Sequence, residues 1–130
     1  MPLFQTEQTT YIDVNEASIR FNGSDATITL YYELTPVARA YIFAFGTSSL
    51  EPKIQSMFSS FDDTQILNIR PKHAEMLIRN VSKLNENYYL HHSIELPLTF
   101  RVLKVYTPDS RESCDYYYVN STPDIFYPKE

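Results

Sequence analysis

Glycine is almost missing from this 130-residue chain, with Gly23 and Gly46 the only two. Loops that cradle phosphate need several glycines, for close backbone approach and for positive φ. Two glycines so far apart write neither a dinucleotide-binding nor a phosphate-loop motif, which excludes the common nucleotide-binding devices. Cysteine is scarcer still. Cys114 stands alone, so an internal disulfide framework is excluded and a reducing, cytoplasmic location is the expectation. Tryptophan is absent. No long apolar run exists either: the longest, Ala40–Phe45, falls far short of the ~18 residues that suggest a bilayer span, so no membrane partner is expected. The first eight residues show no basic n-region and no apolar h-region, and no secretion signal is expected from them.

Basic clusters are lacking as well. Sixteen acidic residues outnumber eleven basic ones, for a net charge of −5. The tightest basic pairs, Arg70/Lys72 and Arg101/Lys104, hold two residues each. Nucleic-acid affinity rests on clustered Lys and Arg that release counterions, so no nucleic-acid partner is expected. What the chain has instead is tyrosine and phenylalanine, eleven and eight residues, side chains that suit half-buried sheet surfaces and interfaces.

The pattern along the chain predicts one α+β domain over residues 1–130. Residues 1–9 are expected to fray. Ile19 and Phe21 alternate with Arg20, and Asn22-Gly23 follows, predicting a hairpin with a type I′ turn. The returning strand sends Ala26, Ile28, Leu30, Tyr32 and Leu34 to one face. Thr35-Pro36 reads as an N-cap and first helical residue, and Gly46 as a C-terminal stop. The helix between them is apolar nearly all round and is expected to be buried on several sides. Ser48 or Ser49 is expected to cap a second helix with the stripe Leu50, Ile54, Met57, Phe58 and Phe61, stopped at Asp62-Asp63. Thr64–Arg70 reads as a strand. Residues 71–84 read as strand or helix, with strand preferred.

The last third is β-rich. Leu98, Phe100, Val102, Lys104 and Tyr106 fall on one face of a strand, which is expected to pair with 114–119. Residues 120–130 form an extended C-terminal tail. The whole is a two-layer α+β domain, a mainly antiparallel sheet with one or two helices at about residues 36–61 packed on one face.

Chemistry-bearing motifs are thin. His91-His92 cannot both ligate one metal from a regular strand, because adjacent side chains point to opposite faces, and no metal-ligand spacing is present. A lone cysteine such as Cys114 is more often a small packed hydrophobe than a nucleophile. Asp62-Asp63 reads as a solvated turn. No metal, no cofactor and no catalytic residue is assigned, and the reading leans against an enzyme.

Tyr116-Tyr117-Tyr118 differs, since alternation puts rings on both faces of one strand. The expected function is therefore a non-enzymatic interaction or assembly module. It would be a homodimer or bind a protein partner through Tyr31, Tyr117, Ile125, Phe126 and Tyr127. The alternative is a small-ligand domain with a pocket between sheet and helices, lined by Phe43, Phe45, Phe58, Tyr106 or His91.

Overall fold

The computed structural model describes residues 12–61 and 63–129. The expected fraying of residues 1–9 lies outside them. Two long strands, β1 (Ile12–Asn22) and β2 (Asp25–Leu34), form the first hairpin. Asn22 pairs with Asp25, so the loop residues are Gly23 and Ser24, and only Gly23 has positive φ, at 61°. A two-residue loop with glycine first matches a type II′ turn, one residue later than the I′ turn expected at Asn22-Gly23.

After β2 come helix α1 (Pro36–Phe45), a 3₁₀ turn (Thr47–Leu50) and helix α2 (Glu51–Met57). The cap signals at α1 are realised. Thr35 Oγ1 accepts from the Ala38 N–H, Pro36 opens the helix, and Gly46, at φ 86°, donates its N–H to Ile42 O at 2.7 Å. Helix α2 starts without the expected serine cap. The 3₁₀ turn feeds directly into it, and the Ser49 hydroxyl donates back to Gly46 O at 2.8 Å.

The rest is sheet: β3 (Asp63–Ile69), β4 (His73–Arg79), β5 (Lys83–Asn85), β6 (Tyr88–His91), β7 (Glu95–Tyr106), β8 (Cys114–Ser121) and β9 (Ile125–Pro128). Residues 73–79 are strand, as preferred above. Six strands form one sheet in the order β3-β4-β2-β1-β7-β8, with β1 and β7 parallel and every other pair antiparallel. Strands β5-β6-β9 form a second sheet. Sheet makes up 56% of the described residues and helix 18%, so the fold is more sheet-dominated than an open sheet under helices. The segment 125–128, expected as part of a tail, is the paired strand β9, with Tyr127 opposite Tyr89.

One hydrophobic core joins these parts. Ala17, Ile19 and Phe21 of β1, Ile28 and Leu30 of β2, and Met76 and Ile78 of β4 meet Leu50, Ile54, Phe58 and Phe61 from the helical segment and Tyr127 from β9. Alternation explains the choice, since odd residues of β1 and even residues of β2 and β4 share a face. Ile54 is fully buried there. Ile54→Ala is expected to cost about 2–5 kcal/mol of unfolding free energy in urea titration, the range for a buried Ile that leaves a cavity.

Candidate functional site

Helix α1 departs from its expected burial. Ala38 alone is buried, and Ile42 is half-buried against the core. Val37, Ala40, Tyr41, Ala44 and Phe45 are all exposed, at i, i+3, i+4, i+7 and i+8. That spacing is the stripe a packed helix normally buries. Phe43 is 94% exposed and Phe45 66%. Tyr41 and Phe45 touch each other, ring centroids 4.7 Å apart, and Arg39 is the only charge in the helix. By rough side-chain area, the stripe Val37, Ala40, Tyr41, Ala44 and Phe45 presents on the order of 450 Å² of apolar surface, which places the patch among the largest a monomer usually shows.

The second feature is the sheet face opposite the core. Register aligns its side chains in rows across four strands. Glu75, Thr29, Ser18 and Lys104 form one row; Leu77, Thr27, Arg20 and Tyr106 form the next; His73, Tyr31, Glu16 and Val102 form a third. Short Ser and Thr side chains make the floor, and the face holds a trough of about 440 Å³. The Arg20 guanidinium lies over the Tyr106 ring, 4.3 Å from its centroid. Glu16, Glu75 and Lys104 make no ion pair among the described residues. Tyr117 extends the third row through Val102. Tyr118 has a φ of 56°, and Tyr117 and Tyr118 are both exposed. A positive φ in a bulky residue is a strained, local break, and here it blunts the outer edge of β8 against further strand pairing.

A third concavity, about 580 Å³, lies where β2 meets α1, lined by Tyr31, Tyr32, Leu34, Arg39, Pro71 and Lys72. Tyr32 forms one wall, and its hydroxyl donates to Arg70 O and His73 O. Burial pushes the Tyr32 phenol up to about 12.

The sequence-derived residues scatter among these places. Tyr31 and Tyr117 lie on the open sheet face. Phe126 is exposed against the Tyr88 ring, and Ile125 is half-buried. Tyr127 is 1% exposed. Its hydroxyl donates to Gly23 O and bonds the Ser82 hydroxyl, so its ring is core and cannot present itself to a partner. The pocket residues do not converge. Phe43 and Phe45 face solvent, Phe58 is in the core, Tyr106 lies under Arg20, and His91 is sealed in the small sheet. None of these five lines the 580 Å³ concavity.

His91 holds two segments together. It is 1% exposed, with Nδ1 2.6 Å from Val81 O and Nε2 2.8 Å from Thr122 Oγ1. The carbonyl accepts only, so Nδ1 carries the proton, and the Thr122 hydroxyl donates to Nε2. Burial lowers the imidazole pKa, while the Val81 hydrogen bond and the Asp124 carboxylate oppose the shift and His92 adds to it. Unfolded, the side chain titrates near 6.5. Between that value and the lower folded one, the unfolded chain binds a proton that the native chain refuses. Stability is therefore fully present above pH 6.5 and is lost as pH falls through that window. Urea unfolding at pH 7.5 and 5.5 should show the loss, and His91→Gln should show a smaller one. Equal losses would place the pH dependence elsewhere.

Cys114 is exposed and bonded to no histidine, and no three His, Cys, Asp or Glu side chains converge on a metal position among the described residues. Among the described residues no helix is long and apolar enough to cross a membrane. Comparison with protein families, curated proteins and solved structures finds no match to this chain.

Proposed function

We propose that this chain is a non-enzymatic assembly module that joins a second copy of itself through helix α1. The observation that carries the reading is the exposed stripe Val37, Ala40, Tyr41, Ala44 and Phe45, which has the spacing of a core-facing surface and no cover among the described residues. A second copy fits it for three reasons. An isologous contact sets the same patch against itself, and a patch with one charge meets its copy almost without repulsion. Ala40 and Ala44 allow two helix axes to approach to the usual 8–10 Å. Two such patches bury on the order of 1,000 Å² together, the lower bound for a specific interface. A lipid surface suits the helix less, because interfacial helices carry Lys and Arg on their polar face, and α1 has Arg39 alone.

Light scattering over ~1–100 μM, a range spanning common interface affinities, should report a dimer or larger species. A monomer throughout, or a helix that sediments with vesicles while the protein stays monomeric, would overturn the reading. A small-ligand function is the second reading, supported by the concavity of about 580 Å³ at the β2–α1 junction. It predicts a thermal shift with an apolar ligand that Arg39→Ala reduces.

A further inference from the structure

We infer that the open face of the six-stranded sheet is a second surface for self-association, where two copies meet face to face about a twofold axis that runs parallel to the strands, between β1 and β2. Register and charge on this face favour the pairing independently of helix α1.

In the row Glu75, Thr29, Ser18, Lys104, the carboxylate and the ammonium lie at equal distances on either side of the β1–β2 line. Rotation about that line places each Glu75 opposite the other copy's Lys104, giving two ion pairs. The neighbouring rows agree. Tyr106 meets Leu77, an apolar match, and Glu16 meets Tyr31, whose hydroxyl donates to a carboxylate. The competing twofold, perpendicular to the strands through the same row, brings Arg20 opposite Glu16, but Arg20 is already engaged over the Tyr106 ring, and the same axis sets Glu75 against Glu75 and Lys104 against Lys104 at the flanks. Like charges opposed at close range disfavour that arrangement.

The geometry of the pairing is an ordinary one. An axis parallel to the strands keeps the two strand sets aligned, as in packed sheets about 10 Å apart. The trough of about 440 Å³ over Ser18, Thr27 and Thr29 leaves the centre hydrated, which polar interfaces tolerate. Contacts then concentrate at the flanks, where Glu75 and Lys104 have no ion-pair partner among the described residues.

The test uses the full chain carrying Tyr41→Ser and Phe45→Ser, so that helix pairing is removed. Light scattering of that variant should still show a dimer. Glu75→Lys or Lys104→Glu alone should raise its dissociation constant at least about 100-fold, the effect of leaving a paired charge opposite its like. Glu75→Lys with Lys104→Glu should restore association to within about tenfold of the background. A monomeric background variant, or a double swap no better than either single one, would overturn the inference. A background variant with the wild-type mass would instead refute the role of α1 and leave the charge-swap result to decide the sheet face. All variants change surface side chains, and unaltered far-ultraviolet circular dichroism confirms that each is folded.

Discussion

Replacing Tyr41 and Phe45 together by serine is expected to raise the dissociation constant of the contact made through α1 at least about 100-fold, because a central aromatic at an interface is worth about 2 kcal/mol or more and each contact occurs twice about a twofold. Little else should change. Both rings are more than half exposed and touch mainly each other, so their loss opens no cavity. Serine has about the same helix propensity as tyrosine and phenylalanine, so the exchange costs the helix little on that account. The cap at Thr35 and the bond from Gly46 to Ile42 O remain to hold α1. A large fall in stability with association intact would mean that the stripe packs within the chain.

Tyr127 shows the opposite behaviour. Tyr127→Ala is expected to cost about 3–5 kcal/mol of stability, the range for removing a buried aromatic ring. The ring packs against Phe21 and Tyr89, centroids 5.5 and 5.7 Å away, and joins β9 to the first hairpin. Tyr127→Phe keeps the ring and removes the hydroxyl that Gly23 O and Ser82 share, so it should cost about 1–3 kcal/mol through the partners left unsatisfied. Burial raises the Tyr127 phenol above its ordinary value despite the Ser82 hydrogen bond, so the hydroxyl remains a donor at neutral pH. Neither variant should alter self-association beyond what lost stability explains. Weaker association at full stability would place Tyr127 at an interface after all.

Local chemistry in the sequence reads well at α1 and β2. Thr35-Pro36 and Gly46 mark the helix because caps depend only on neighbouring backbone, and Ala26 to Tyr32 alternate because one face of β2 is buried. What decides function is less local. The apolar character of α1 says that the helix wants cover, and periodicity cannot say whether the cover comes from the same chain. Tyr127 lies in a short apolar run between two prolines, a pattern equally fit for a clasp on a partner. Its pairing with Tyr89 depends on a contact made far along the chain. Glu75 and Lys104 lie on strands that are not neighbours in sequence, and only the parallel β1–β7 pair and the β2–β4 pair bring them into one row. No local pattern encodes that register.

Cross-linking tests the central claim most directly. Cys114 is the chain's single cysteine and is exposed, so Cys114→Ser clears the background for one new thiol at Ala44, in the middle of the exposed stripe. With Ala44→Cys, mild oxidation or a short bis-maleimide should yield a covalent dimer, while a control cysteine at exposed Ser59, beyond the end of α2, should yield none. Efficient cross-linking at Ser59 with none at Ala44, in proteins of unchanged fold, would contradict the assignment of α1 as the surface that joins two copies.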